Sequence, residues 1–342
     1  MTDTCLYWFE DLGKQHNDMV GKKCANLGEM AKIGIPIPHG FALSLDAYRK
    51  FLTLTGAAEE VEECIRTREK SLGSISAITD LSKALRQVVE SKPMPSEMEE
   101  AITRQYQELC RRCSVSVAAV ATRSAGAVSH PGQYETHLNV KGTADLLRNI
   151  KKVWGSTFNP TSLSFRHKQG LPLGSDPIGV AVLKMINARA AGIVFTADPN
   201  SGDTSRMVVE ANWGLGESVV GGESMPETFI VEKRTFQVIE RRLGTKLRCV
   251  MPGEDGVVEQ ETPSDKCSTF CVSDEEIVEI AKVGVRLEEH FGVPQDVEWA
   301  IDDDLSFPNN LVLLQTRPEV IAKKKAPVDQ VLDLMMNRYV RS

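Results

Sequence analysis

Asp296-Val297-Glu298-Trp299-Ala300-Ile301-Asp302, with Asn310-Leu311-Val312-Leu313-Leu314-Gln315-Thr316-Arg317-Pro318 after it, is the stretch on which the fold turns. Both segments are rich in apolar residues, and Asp, Ser, Pro and Asn separate them, so they read as two strands joined by a loop. Strand alternation puts Asp296 and Glu298 on one face of the first strand, and Gln315 and Arg317 on one face of the second. If these strands pair, two acids, an amide and a guanidinium converge. Hard oxygen ligands suit Mg2+, and an arginine beside such a metal suits a phosphoryl group in transfer. The solvated face of an ordinary hairpin fits the same spacing, and apolar Val297, Trp299 and Leu314 on the other face fit both readings.

Upstream of this hairpin, DEEIVEIAKVGVRLEEHF (274–291) is a predicted helix. Before it, IGVAVLKMI, AGIVFTADP, RMVVEANWG and ETFIVEKRTFQVIERRL have strand character and are punctuated by Gly, Asp and Pro. VSVAAVATRS and ETHLNV add two more strands, and 143–170 reads as helix. Residues 44–112 are almost wholly helical, with Ser44 as the N-cap of DAYRKFLTL and Leu81, Leu85 and Val88 at helical spacing. Residues 1–43 combine a short strand (LYWFE), a loop, a helix and the turn-rich IGIPIPHG. A helical segment, mixed strands, a long helix and a final hairpin, with no internal repeat, indicate an α+β fold of two lobes with mainly antiparallel sheets. Beyond the hairpin, Lys323–Lys325 leads into a predicted tail helix whose Val328, Val331, Leu332 and Met335 form an apolar stripe. Such a stripe docks on its own domain or on a partner.

Composition narrows the function. The chain has 342 residues, 42% hydrophobic and 25% charged, the balance of a globular protein. Its net charge of −7 supplies no basic excess to neutralise a nucleic-acid backbone, whereas a nucleotide needs only a few well-placed cations. No stretch reads as a signal peptide or membrane span, so a cytoplasmic location without membrane attachment is expected. Eight scattered cysteines then read as reduced thiols. The pairs Cys110/Cys113 and Cys267/Cys271 have no second Cys or His pair nearby to complete a zinc site.

Three further motifs could meet phosphate. In Val20-Gly21-Lys22-Lys23-Cys24-Ala25-Asn26-Leu27-Gly28-Glu29-Met30, a glycine and a lysine open a helix, so backbone N–H groups and an ammonium face one point. The pattern is not GxxxxGK[ST], and a capped surface helix fits it equally. In Val120-Ala121-Thr122-Arg123-Ser124-Ala125-Gly126, followed by Gln133-Tyr134-Glu135-Thr136, an arginine at a strand end sits beside small residues that let a backbone approach a ligand closely. A surface hairpin is the alternative. Glu210-Ala211-Asn212-Trp213-Gly214-Leu215-Gly216-Glu217 allows a tight turn beside a ligand, or any packed turn.

Together and in this order, the four motifs resemble the ATP-grasp nucleotide-binding domain of the phosphoenolpyruvate synthase, pyruvate phosphate dikinase and rifampicin phosphotransferase family. VGKKCANLGEM, GIPIPHGF, ATRSA, GQYET, AGIVFTADP, EANWGLGE, DVEWA and QTRP carry the resemblance, from about residue 7 to 319. It implies an ATP-grasp fold with an N-terminal lobe, 1–186, that carries the helical segment 44–112. A C-terminal lobe, 187–322, and the tail helix, 323–342, follow. It also implies roles: Lys23 and Arg123 on the ATP phosphates, Thr136 on the phosphate side, and Lys184, Met185 and Ile186 along the adenine pocket. Glu217 joins the nucleotide contacts, Glu298 and Gln315 bind Mg2+, and Arg317 assists transfer, making Lys23, Arg123 and Arg317 the catalytic set. There are departures: Lys22 replaces a glycine, Leu183 replaces a glutamine, and the loop between Arg123 and Gly132 is shorter than in the family.

In the family, ATP phosphorylates a histidine on a separate swivelling domain. None of His16, His39, His130, His137, His167 or His290 lies in the motif that carries it. The resemblance therefore implies a split dikinase whose partner subunit bears the histidine, with ATP, acceptor and water giving AMP, phosphate and a phosphorylated acceptor. The small ATP-binding subunit of phenylphosphate synthase, with phenol as acceptor, has this arrangement. The alternatives are a relative of phosphoenolpyruvate synthase or rifampicin phosphotransferase with another acceptor, and a non-catalytic nucleotide sensor. Retention of the metal and transfer residues favours catalysis.

Overall fold

The computed structural model describes residues 5–68, 72–127, 134–174, 176–220 and 225–320. The predicted tail helix, and His130 with most of the short loop before Gln133, lie outside these. The first half runs β1 (Leu6–Trp8), α1 (Asn17–Val20), α2 (Lys22–Lys32), β2 (Gly40–Leu43), α3 (Leu45–Leu54), α4 (Ala57–Arg68), α5 (Ile75–Ser91) and α6 (Ser96–Arg112). It continues with β3 (Ala119–Ala125), β4 (Thr136–Lys141), α7 (Gly142–Gly155), α8 (Pro160–Lys168) and β5 (Gly179–Lys184). The second half runs β6 (Ala188–Phe195), β7 (Arg206–Trp213), α9 (Glu217–Val220), β8 (Glu227–Glu232), β9 (Val238–Arg242), β10 (Arg248–Pro252) and β11 (Val257–Glu261). It closes with α10 (Ser264–Cys267), α11 (Asp274–Phe291), β12 (Gln295–Asp302) and β13 (Leu311–Pro318).

Local chemistry sets the helix starts. Ser44 accepts from the Ala47 N–H at the head of α3, and Ser74 does the same for Ala77 at the head of α5. Ser273 and Glu276 form a reciprocal capping box on α11, which ends on Gly292 in the left-handed region. The sequence predicts a single strand-like stretch over 227–243; the chain instead turns back at Lys233–Gln237 and forms the β8–β9 pair. Strand β2 sits within and after what reads as turn, and the β10–β11 hairpin has no strong apolar run to announce it.

Two sheets carry the α+β architecture. The first is five-stranded, in order β1-β2-β5-β3-β4; the second is six-stranded, in order β13-β12-β6-β7-β8-β9; and β10 pairs with β11 alone. Every pairing between these strands is antiparallel. The helical segment covers one face of the first sheet, burying Phe41, Tyr48, Phe51, Leu85 and Trp154. The second sheet packs on α11 through Ile277, Leu287, Val297 and Trp299, and α2 joins this core with Leu27 and Met30. So α2 belongs to the first half in sequence and to the second sheet's core in space. The Asn26 amide fixes it there, donating to the Thr316 carbonyl at 2.8 Å.

The head of α2 is held against the first sheet as well. Gly21, immediately before it, has φ +83° and ψ 154°, a conformation essentially restricted to glycine. A Cβ there would stand 2.0 Å from the Ala125 carbonyl oxygen, and the next residue, Lys22, donates its N–H to the Gly126 carbonyl at 2.9 Å. Gly34, after the other end of α2, also has positive φ, but a Cβ there would meet no atom within 4 Å. Gly21→Ala should therefore destabilise the fold by about 3 kcal/mol or more, and Gly34→Ala by only about 1 kcal/mol, as read by thermal or denaturant unfolding. Equal losses from the two substitutions would contradict this placement of α2.

Candidate active site

The seam between the sheets collects the charged residues. Strand pairing sets Arg123 opposite Thr136 on the first sheet. On the second sheet, Asp296 faces Arg317 and Glu298 faces Gln315 across the β12–β13 pair. Arg123 reaches from one sheet to the other: its Nη2 donates to Glu298 Oε2 at 2.6 Å and to Gln315 Oε1 at 3.2 Å, and its Nη1 to the Leu314 carbonyl at 3.2 Å. Its buried Nε has no hydrogen-bond partner among the described residues. A buried, unpartnered guanidinium N–H is costly without an acceptor, and an anion at the seam would supply one. Beside this cluster, Arg317 Nε donates to Asp296 Oδ2 at 2.7 Å.

The charges tune one another. Burial is the largest influence on Lys23; with Arg123 and Arg317 it outweighs the attraction of Glu298 and brings the ammonium down to about 8. For Glu298, burial pushes upward, yet Arg123, Lys23 and Arg317 together hold the carboxyl below its ordinary range, so it is ionised at neutral pH. Asp296 goes the other way: burial and Glu298 raise it above the usual value despite the Arg317 ion pair. Three cations thus converge on two acids and an amide.

Next to the cluster is a cleft with about 920 Å³ of empty space, its open mouth included. Arg123, Thr136, Lys184, Glu217 and Glu298 contribute to its polar lining, while Leu138, Leu183, Met185, Ile186 and Leu314 belong to its apolar wall. The 184–186 segment is anchored through its backbone: Lys184 N donates to the His39 carbonyl and Met185 N to the Ala119 carbonyl, both at 2.8 Å. Lys184 Nζ folds back on the Met185 carbonyl at 3.1 Å. Leu183, opposite Gly40 and Ala121, presents an apolar surface where an amide would have offered hydrogen bonds.

Of the residues singled out in the sequence, Arg123, Thr136, Lys184, Met185, Ile186, Glu217 and Glu298 line the cleft. Lys23, Gln315 and Arg317 stand in the charged cluster at its side, coupled to it through Arg123 and Glu298. Leu138, Leu215 and Trp299 line the cleft without having been singled out for it. Leu138 carried a signal: it lies two residues beyond Thr136 on the same strand, hence on the same face. Leu215 carried none beyond its place between two glycines.

Comparison with known proteins follows the same lines. The family model for the pyruvate phosphate dikinase AMP/ATP-binding domain matches residues 17–337. A probable phosphoenolpyruvate synthase of Methanocaldococcus jannaschii is 34% identical over 326 residues, covering 93% of this chain and 27% of that protein. The phosphoenolpyruvate synthases of Aeropyrum pernix and Pyrococcus furiosus are 33% and 32% identical, covering 94% and 95% of this chain and 43% and 45% of theirs. The chain thus spans less than half the length of these relatives. With the match running across both sheets and the seam between them, the chain belongs to the pyruvate phosphate dikinase AMP/ATP-binding domain family, as an ATP-binding domain with an α+β, ATP-grasp-like fold.

Proposed function

We propose that the chain binds ATP with Mg2+ between its two sheets and transfers a phosphoryl or pyrophosphoryl group to a histidine on a partner subunit. The observation that carries this reading is the juxtaposition of Lys23, Arg123 and Arg317 with one end of a cleft whose other end is apolar. A triphosphate fits the first environment and a purine the second. Along Met185 and Ile186 the adenine would stack on apolar surface, with Thr136 and Glu217 near the sugar and phosphates. Lys23 and Arg123 would draw the phosphate oxygens into the seam. Arg317, held by Asp296, would meet the charge that develops as the group leaves, which is where electrostatic stabilisation gains most.

Glu298 and Gln315 supply ionised and neutral oxygen donors side by side. Among the described residues no group of three or more His, Cys, Asp or Glu could hold a metal alone. That sparse set suits Mg2+, which is commonly held by one or two protein oxygens plus phosphates and water. When bound there, Mg2+ would supply neutralisation of phosphate charge.

Among the described residues no histidine lines the cleft, and in this reading the acceptor histidine is carried by the partner. In the balanced sequence, the partner's imidazole displaces AMP from ATP; water then releases phosphate and leaves a phosphohistidine. The final acceptor takes that last phosphoryl group. Relatives named phosphoenolpyruvate synthase favour a second reading, in which the acceptor is the precursor of phosphoenolpyruvate, over phenol, which rests on the likeness to phenylphosphate synthase alone.

Three outcomes are expected. Arg317→Ala should slow transfer by roughly 10²-fold, about 3 kcal/mol of barrier, while ATP affinity measured by titration stays within a few-fold; unchanged turnover in the full complex would remove Arg317 from the chemistry. The ammonium of Lys23 is the form that attracts phosphate and is lost as pH rises through about 8. ATP affinity should therefore be flat from pH 6 to 7.5 and fall above 8, with Lys23→Arg abolishing the fall; the same decline in the Arg variant would assign it to another group. Finally, the chain alone should make little AMP from ATP until a histidine-bearing partner is added, and β-labelled ATP should then label that partner. Rapid AMP formation by the chain alone would sink the partner reading.

A further inference from the structure

Asn139 is one of four non-glycine residues with positive φ among the described residues, at 56°. It stands on β4, three residues beyond Thr136. The register there slips: Val120 faces Val140 and Thr122 faces His137, so Leu138 and Asn139 together stand opposite Ala121. This is a β-bulge with asparagine in the left-handed region, a feature that re-aims a side chain at the expense of local strain. The bulge leaves Leu138 lining the cleft, while the Asn139 side chain is buried and points away to the other half of the molecule.

The target is the turn of the β10–β11 hairpin. Asn139 Nδ2 donates to the Gly253 carbonyl at 2.8 Å and to the Gly256 carbonyl at 2.7 Å, so both ends of the turn accept from one amide. Gly253 N also donates to Gly256 O at 3.0 Å and closes the turn that presents them. Lys141 Nζ adds a bond to the Glu254 carbonyl at 3.3 Å. Behind the turn, Val250 and Val257 of the hairpin pack with Leu138, Met185, Ile186 and Leu215, the apolar wall of the cleft. The Val250 carbonyl also accepts from Leu215 N at 2.8 Å. The hairpin thus belongs to the second half by sequence, backs the apolar end of the cleft, and is fastened to the first sheet by Asn139.

We propose that Asn139 is a positioning residue: its amide latches the β10–β11 hairpin to β4 and so sets how tightly the apolar end of the cleft closes on a nucleobase. The ligand in this statement rests on the ATP reading above; the latch itself rests on the geometry. The charged seam is fastened separately, by Arg123, so the two ends of the cleft are closed by different contacts. Loss of the latch should weaken whatever binds through the base and spare what binds through phosphate alone.

The test uses Asn139→Gly, which removes the amide and suits the left-handed backbone, and Asn139→Asp, which keeps the shape but turns a carboxylate towards two carbonyls. Affinities for ATP, AMP and inorganic tripolyphosphate are measured by calorimetry, and hydrogen exchange of residues 248–261 is followed in the nucleotide-free protein. The expected result for both variants is a loss of roughly tenfold for ATP and AMP alike, unchanged tripolyphosphate binding, and faster exchange in the hairpin. Unchanged nucleotide affinity with unchanged exchange would overturn the proposal, and so would an equal loss for tripolyphosphate, which would mark general damage to the fold. If one variant fails to fold, the other carries the same comparison. If the wild type binds no adenine nucleotide while the hairpin still loosens in the variants, the latch stands and the ATP reading falls.

Discussion

The contact between Arg123 and Glu298 is the constraint on which the rest of the site depends. It joins the two sheets at 2.6 Å, through side chains that are 16% and 17% exposed, so both charges are largely removed from water. Such a pair contributes little stability over apolar packing, but removing one partner strands the other charge at a cost of about 3–5 kcal/mol. What the pair secures is geometry. It brings β3 to the β12–β13 hairpin, holds Glu298 ionised, and leaves the Arg123 Nε aimed without an acceptor among the described residues. Helix α2 completes the arrangement, because Gly21 can approach Ala125 and Asn26 can bond Thr316, placing Lys23 between the two sheets.

From that contact the cleft acquires two unlike ends. At the seam, burial first and then the neighbouring Arg123 and Arg317 loosen the hold of Lys23 on its proton. Away from the seam, apolar side chains from β4, β5, β13 and the β7–α9 turn line the cleft. The hairpin β10–β11 packs against that apolar wall from behind. A ligand with a polyanionic tail and a flat apolar head matches both ends at once, and neither end alone would be selective. Family membership and the local chemistry therefore point to the same class of ligand by separate routes.

Much of this was legible in the sequence, for physical reasons that differ by element. Helix α11 could be read to its ends because its capping box and the glycine after it are local signals. The β12–β13 hairpin was legible because strand alternation fixes which side chains share a face, and pairing then brought Asp296 to Arg317 and Glu298 to Gln315. Strand β2 was obscured by the prolines before it, and β10–β11 by exposed charged residues that mask any alternation. Cross-sheet contacts had no local signature at all: nothing near Arg123 in sequence names Glu298 as its partner. Asn139 was invisible for the same reason, since its left-handed backbone and its acceptors at Gly253 and Gly256 exist only once the chain has folded.

An adenine nucleotide in the inter-sheet cleft, with its base against the 184–186 segment, is the pose proposed above. Photolabelling with 8-azidoadenosine triphosphate, followed by peptide mapping, tests it most directly. Saturable labelling, protected by ATP, is expected in peptides that contain Leu183–Ile186 or Leu215–Glu217. Labelling confined to peptides outside the cleft, or labelling that ATP does not suppress, would contradict it.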